Sequence, residues 1–377
     1  MIMQHAQAGL YIHIPFCLSK CGYCSFYSIS STHLIPEFIK AVVCEMAFYK
    51  NLFKSFDTVY IGGGTPSLLS CDQLDEMFDA INKILKIDKH AEITIEVNPG
   101  DVSQEYFHSL RKLGINRLNI GIQSFDDSVL KFLGRRHTAR DALLAMNDSR
   151  KAGFGNIGID LIYGVHGQDI RSWKKNIQKA LSLSPEHISC YQLSLEKKTP
   201  LFKHYKKEAL HLPSEDEALD FFLITDQVLE DAGFLHYEVS NFARDDDLKS
   251  RHNTKYWRHT PYLGLGPAAH SFIGRKRWWN KSSVNTYIHN IARGKMPVED
   301  AETLSVQQLQ LEALFLGMRT KDGIDLQLCK KRYGSDLLKD KKDTIDMLIK
   351  NKLVELKNGV LRPTLAGMAV ADSIALI

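Results

Sequence analysis

No stretch of this chain approaches the run of about 18 apolar residues that a membrane-spanning helix requires. Its first residues, MIMQHAQAGLYIHIPF, lack the basic segment followed by an apolar one that marks a secretory signal. A cytoplasmic protein is therefore expected. An excess of one charge is missing as well: 48 Lys and Arg stand against 44 Asp and Glu, a formal +4, so charge creates no demand for nucleic acid or an anionic membrane as partner. Low-complexity tracts and internal repeats are also absent, apart from a strand–helix rhythm. What the 377 residues do have is a hydrophobic content of 44 %, enough for a large core arranged as two domains or as one with an appendage.

Cysteines are few, and their number, seven, is odd. Cys17, Cys21 and Cys24 fall within eight residues, which is poor disulfide geometry but good metal-ligand spacing in a reducing compartment. Cys44, Cys71, Cys190 and Cys329 have no such spacing and read as buried or incidental thiols. Three thiolates can hold an iron–sulfur cluster with one iron left open for a reactive ligand. The competing readings are three buried thiols, or a zinc site completed by His13 or His33; structural zinc sites more often use two Cys-x-x-Cys pairs, which favours the cluster.

From residue 10 to about 195, short β-branched runs alternate with segments of helical period. The runs are Leu10–Phe16, Thr58–Ile61, Glu92–Val97, Arg117–Ile122, Gly158–Tyr163 and His187–Leu193. This rhythm predicts an α/β fold with repeated βα units on a parallel sheet. The cysteines, Gly62–Gly64, Glu96, Gln123, Asp160 and Gln192 recur at the C-terminal ends of these runs. One site at the mouth of a partial (β/α)6 barrel explains that recurrence better than an open doubly wound sheet. A helix is expected around Ser214–Asp231. The aromatic- and glycine-rich stretch HYEVSNFARDDDLKSRHNTKYWRHTPYLGLGPAAHSF has little period and reads as a connecting or functional segment. After about Thr303 come helices and a hairpin turning on Asn358–Gly359, the pattern of a small winged-helix-like α+β domain. Its Lys330, Lys331, Arg332, Lys339, Lys341 and Lys342 are a weak nucleic-acid signal, since lysines clustered on a helix usually make a solvated face.

The cysteine spacing with its companions resembles the radical S-adenosylmethionine (SAM) superfamily across residues 10–195. The resemblance implies a 4Fe-4S cluster whose unique iron is chelated by the amino and carboxylate groups of SAM. On that basis Arg135 would pair with the carboxylate, and Glu96, Gln123 and Asp160 would hydrogen-bond ribose hydroxyls or the methionine amine. Carbonyls around Gly63, Gly64 and Thr65 would accept from the ammonium, and Tyr11 and Tyr23 would pack on the adenine.

The strings YIHIPFC, YIGGGTPS, EVNPG, RLNIGIQSF, LGRRH and YLGLGPAAHSF together resemble the oxygen-independent coproporphyrinogen III oxidase group, over nearly the whole chain. Oxidase members of that group decarboxylate two propionates; they carry a long N-terminal segment and a further cysteine two positions after the last cluster ligand. Here ten residues precede Tyr11, and that position is Phe26. A related branch of haem chaperones carries a His-Asn-x-x-Tyr-Trp string, present as His252, Asn253, Tyr256 and Trp257. The string favours the chaperone branch. It implies haem as cofactor, His252 as axial ligand with His259 and His270 as weaker alternatives, and haem-accepting proteins as partners, and it leaves room for a homodimer and for peripheral membrane contact. The expected division is 1–195 as the radical SAM partial barrel, 196–300 as a barrel-completing, haem-associated segment, and 301–377 as the winged-helix-like domain.

Overall fold

The structure, a computed structural model, describes residues 7–207, 210, 212–334 and 336–374. The six predicted runs form strands β1 (Ala8–Ile14), β2 (Phe56–Gly63), β3 (Ile87–Val97), β4 (Arg117–Gln123), β5 (Ile157–Tyr163) and β6 (His187–Gln192). The helices among and after them are α1 (Ile35–Phe48), α2 (Cys71–Ile84), α3 (Gln104–Lys112), α4 (Asp127–Leu133), α5 (Ala139–Lys151), α6 (Ile170–Leu181), α7 (Pro200–Lys207) and α8 (Glu215–Asp231). The strands pair in parallel in sequence order, β1-β2-β3-β4-β5-β6. An order without reversal is that of a barrel, whereas a doubly wound sheet has a switch point.

The two faces of these strands differ in chemistry. Leu10, Ile12 and Ile14, then Val59 and Ile61, Ile95 and Val97, Leu118, Ile120 and Ile122, and Ile157, Ile159 and Leu161 all enter the main apolar core. The alternate positions carry polar or aromatic groups, and strand register stacks them in rows: Tyr11 beside Tyr60, Tyr60 beside Thr94, Glu96 beside Asn119, and Asp160 beside Ser189. Since strand side chains alternate strictly, the aliphatic set seals the helices onto the sheet and the other set lines the barrel.

Helix α6 shows how the helical layer is fixed. Asp169 and Ser172 form a capping box at its start, and Trp173, Asn176, Ile177 and Ala180 fall on one buried stripe. The indole N–H of Trp173 donates to the Thr225 hydroxyl of α8 at 2.8 Å, and that hydroxyl donates to the Phe221 carbonyl at 2.6 Å.

The aromatic- and glycine-rich stretch is more ordered than its sequence suggested. It contains β7 (Leu235–Glu238), β8 (Asn241–Ala243), α9 (Arg251–Trp257), β9 (Tyr262–Leu265) and β10 (His270–Ile273), each too short to show a period. Strand β8 adds antiparallel to β6, and β9 adds parallel to β1, so the chain returns to both edges of the six-stranded unit. Strand β11 (Lys276–Asn280), helix α10 (Val284–Ala292) and strand β12 (Val298–Thr303) complete a twelve-stranded mixed sheet.

The C-terminal unit has its own core around Met318, Ile345, Leu348 and Leu361. It comprises α11 (Val306–Gly317), β13 (Ile324–Asp325), α12 (Leu326–Tyr333), α13 (Leu337–Asp340), α14 (Lys342–Lys350), β14 (Val354–Lys357), β15 (Val360–Pro363), α15 (Leu365–Ala369) and α16 (Ala371–Ile374). Its hairpin turns as the Asn-Gly pair predicts, with φ of 53° at Asn358 and 77° at Gly359. Trp173→Ala removes the largest fully buried side chain of the helical layer and is expected to destabilise the chain by about 3–5 kcal/mol in urea unfolding.

Candidate functional site

The cysteine loop begins where β1 ends. Phe16, fully buried, holds its base, while Cys17 N–H donates to the Ile29 carbonyl at 3.0 Å and Ile29 N–H to the Pro15 carbonyl at 2.8 Å. The glycine triplet after β2 packs directly against this loop: Gly64 N–H donates to the Ile14 carbonyl and Thr65 N–H to the Phe16 carbonyl, both at 2.8 Å. A Cβ at Gly64 would lie 2.6 Å from the Phe16 carbonyl oxygen, and one at Gly63 would lie 2.4 Å from His13 Nδ1. Only glycine permits that approach.

Cys17, Cys21 and Cys24 share one small cavity with Thr65, Asn98 and Arg135. The Thr65 hydroxyl donates to Cys17 Sγ at 3.4 Å, and an Arg135 N–H donates to Cys21 Sγ at 3.5 Å. Among the described residues no three of His, Cys, Asp and Glu converge where a single ion would sit. Three thiols around one cavity, with a hydroxyl and a guanidinium beside their sulfurs, are a donor set that fits an iron–sulfur cluster.

Beside the thiols opens a cavity of about 450 Å³, lined by Tyr23, Gly63, Gly64, Thr65, Glu96, Gln123, Arg135 and Asp160. Eight of the residues singled out in the sequence thus meet on one wall-to-wall surface. Glu96 accepts from the Tyr60 hydroxyl at 2.9 Å and from Gly63 N–H at 3.0 Å. Burial, with the Asp160 carboxyl nearby, pushes its pKa up to about 7 against those two donors. Burial also raises the Asp160 carboxyl. Its Oδ2 accepts from Asn119 at 2.7 Å, while Oδ1 is buried without a partner. Arg135 donates to Asn98 at 2.7 Å and to the Gly121 carbonyl at 2.8 Å, and its Nε is likewise buried and unpaired. Gln123 reaches the cavity from a left-handed backbone, φ 66°.

Tyr11 is half-buried on β1, with its hydroxyl 3.0 Å from His13 Nδ1 and its ring 6.2 Å from that of Tyr60. Tyr60, Asn98 and Asn119 were not singled out in the sequence. An aromatic in mid-strand reads as core, and an isolated asparagine has no signature.

The His-Asn-x-x-Tyr-Trp string forms α9, capped by Ser250, whose hydroxyl accepts from Asn253 N–H at 3.3 Å. Its side chains point to different places. His252 is 1 % exposed, its Nδ1 lies 2.8 Å from the Thr58 hydroxyl and its Nε2 lies 3.0 Å from that of Tyr256. Burial, aided by Lys255 and Arg117, pulls its pKa down to about 3. The structure places this imidazole, expected as a haem ligand, under the barrel with both nitrogens against hydroxyls. Tyr256 instead lines a second cavity, of about 480 Å³, with Tyr262, Phe272, Phe315, Arg277 and His259. Trp257 lines a third, under the Arg319 guanidinium 5.6 Å above its ring. His270 is exposed and stacks on Trp279.

Residues 11–180 match the radical SAM superfamily, and residues 304–370 match the HemN C-terminal domain. The heme chaperone HemW of Bacillus subtilis is 37 % identical over 87 % of this chain and 87 % of its own length. The chain belongs to the HemW family. HemW of Lactococcus lactis is 35 % identical over 91 % of this chain and 90 % of its own. Bovine mitochondrial radical S-adenosyl methionine domain-containing protein 1 is 34 % identical over 98 % and 87 %. The fold is that of the coproporphyrinogen III oxidase HemN of Escherichia coli, with a TM-score of 0.85 at 23 % identity over 98 % of this chain and 89 % of that one.

Membership in the radical SAM superfamily implies a 4Fe-4S cluster and SAM. Such a cluster supplies one-electron chemistry and an open iron. The chain's own part is to fix three thiols and to place the Thr65 hydroxyl beside Cys17 and the Arg135 cation beside Cys21. Gly64→Ala, which drives a methyl into the Phe16 carbonyl, is expected to lower the iron retained per chain after anaerobic reconstitution and to cost about 1–3 kcal/mol in thermal unfolding.

Proposed function

We propose that this chain binds haem in the cytoplasm and passes it to an acceptor protein, while Cys17, Cys21 and Cys24 hold a 4Fe-4S cluster whose open iron takes SAM. The observation that carries the haem part is the 480 Å³ cavity against α9. Tyr256, Tyr262, Phe272 and Phe315 give it flat apolar walls, which suit a porphyrin face. Arg277 supplies a cation for a propionate, although Glu312 at 2.5 Å and Glu302 at 3.2 Å share it. The family relatives are named heme chaperones, which supports the same reading.

An imidazole already stands on that wall. His259, held at φ 54° and stacked 4.7 Å from Phe272 with the planes 3° apart, has Nε2 3.2 Å from Glu312. To reach iron it gives up that contact and a long one to Tyr333, 3.4 Å from Nδ1, whereas His252 would have to leave the barrel. His259 is thus the axial ligand in this reading.

The SAM part rests on the 450 Å³ cavity, where Arg135 would bind the carboxylate and the unpaired Asp160 oxygen and the Glu96 carboxylate would accept from hydroxyls or the ammonium. The oxidase alternative has less support: the position two residues after Cys24 is Phe26, 67 % exposed at the cavity rim. A nucleic-acid role has less still, because Arg332 lines a cavity and Lys330 pairs with Asp336 at 2.9 Å. Among the described residues no helix is long and apolar enough to cross a membrane.

Two measurements test these assignments. Titration of the reconstituted chain with haem is expected to give a Soret band that shifts in His259→Ala and keeps its position in His252→Ala; the reverse pattern returns the ligand to His252, and no band at all ends the haem reading. Arg135→Ala is expected to weaken SAM binding by about 10–100-fold, the loss of a charge-assisted contact, in isothermal titration; an unchanged affinity removes Arg135 from the carboxylate.

A further inference from the structure

The barrel has a floor as well as a mouth, and α9 is that floor. Backbone N–H groups of Arg251 and His252 donate to the Glu92 carboxylate of β3 at 3.2 and 3.0 Å. Lys255 pairs with Asp57 at 2.5 Å and donates to the Gln7 carbonyl at 2.9 Å. A Cβ at Gly9 would come within 3.1 Å of the His252 ring, so β1 leaves room for the imidazole by having no side chain there. Three strands and the chain before them thus clamp one seven-residue helix against the inner end of the barrel.

Above that floor stands a vertical chain of contacts. The His252 ring lies under the Tyr60 ring, centroids 5.2 Å apart and planes 30° apart, and under Tyr11 at 6.4 Å. The Tyr60 hydroxyl then points up the barrel and donates to Glu96. Strand alternation places Thr58, Tyr60 and Gly62 on one face of β2, and Glu92, Thr94 and Glu96 on one face of β3, so each contact climbs one layer. Glu92 and Thr58 hold His252, His252 supports Tyr60, and Tyr60 fixes Glu96 at the cavity.

We infer that His252 is a positioning residue for the SAM cavity, setting the Glu96 carboxylate through the ring and hydroxyl of Tyr60. This rests on the 450 Å³ cavity being the SAM site. Without the imidazole, a space opens beneath Tyr60; the ring settles into it and withdraws its hydroxyl, leaving Glu96 with Gly63 N–H alone. Both routes to that loss, shortening His252 or deleting the Tyr60 hydroxyl, have one effect on Glu96, so they are not additive.

The experiment uses the full chain, anaerobically reconstituted, with SAM as the probe in isothermal titration across pH 5.5–9, about the range over which the group titrates. Glu96 accepts from SAM when ionised, so wild-type affinity falls as pH drops through about 7. The other groups facing it are Asp160, Tyr60, Tyr11 and Tyr256, with Arg117 near Tyr60; the tyrosines stay neutral over this range because burial raises each of them. His252→Ala and Tyr60→Phe are each expected to weaken SAM binding about tenfold at pH 7.5, roughly one lost hydrogen bond to a charged group. Each also moves the midpoint of the pH profile upward, because a donor that favours the carboxylate is gone. The double variant is expected to be no weaker than either single one. Cluster content, read as iron per chain, stays at the wild-type level. Should His252→Ala fail to fold, His252→Gln, which can keep the Thr58 contact but not the ring, is measured in its place with the same expectation. A folded His252 variant with wild-type affinity and midpoint overturns the inference, and so does a double variant about a hundredfold weaker, as independent losses multiply. If wild-type protein binds no SAM while retaining its cluster, it is the SAM assignment of the cavity that falls first.

Discussion

A parallel barrel lined with polar side chains has to satisfy them in a space that water does not freely enter, and the remaining structure is organised around that demand. An unpaired buried polar group costs on the order of 1–3 kcal/mol. The interior therefore pairs across strands that are far apart in sequence: Tyr60 with Glu96, Asn119 with Asp160, Thr58 with His252, and His187 with Tyr237 at 2.8 Å. The two exceptions at the cavity, Asp160 Oδ1 and Arg135 Nε, carry opposite charge preferences and border the same space. A small molecule with both cationic and anionic groups meets both needs, and SAM has an ammonium, a sulfonium and a carboxylate. The two unpaired groups are thus of the kind that a ligand carrying both charges would satisfy.

The same economy of space explains the glycines. Gly63 and Gly64 let β2 come against the cysteine loop, and at Gly266, φ 93°, a Cβ would lie 2.6 Å from the His13 carbonyl oxygen, so its absence lets the loop after β9 pack there. Gly266 N–H also donates to Glu45 at 2.8 Å, and the same buried carboxyl accepts from Asn280 and from the Tyr287 hydroxyl, each at 2.6 Å. One carboxylate of α1 therefore ties down the strands added at the β1 edge. Burial raises its pKa to about 7, so holding it ionised carries a cost that three donors reduce. The string YLGLGPAAHSF, distinctive in sequence, serves this packing through its middle, while its first and last residues, Tyr262 and Phe272, wall the 480 Å³ cavity.

The legible part of the sequence was the part set by local rules. Alternation of aliphatic residues marked β1 to β6 because one face of every strand meets helices, and polar groups at strand ends marked Glu96, Gln123 and Asp160 because a barrel gathers those ends at one mouth. The Asn358–Gly359 turn was legible because both residues must take positive φ. What escaped was set by distance in the chain. Strands β7 to β10 have three or four residues each, and only the pairing of β8 with β6 and of β9 with β1, extended outward by β7 and by β10 and β11, makes them strands. Tyr60 looked like core because nothing near it in sequence announces Glu96, 36 residues on. His252 reads as a haem ligand from the string it opens, and nothing near it in sequence announces its partner Thr58, 194 residues away.

That last displacement bears on how the two cavities relate. A single seven-residue helix presents His252 into the barrel and Tyr256 toward the 480 Å³ cavity, and the two side chains touch each other, Nε2 to hydroxyl at 3.0 Å with rings edge to face. Tyr256 also meets Tyr262 edge to face at 4.8 Å in the cavity wall. A ligand that moves Tyr256 must therefore break or keep a bond to the imidazole on which Tyr60 rests. Linkage is reciprocal: if SAM tightens the Glu96–Tyr60–His252 stack, it also stiffens the wall that a porphyrin would lie against. Helix α9 lines the 480 Å³ cavity through Tyr256 and reaches the 450 Å³ cavity only through Tyr60, so a coupling between the two has the His252 and Tyr60 side chains to cross.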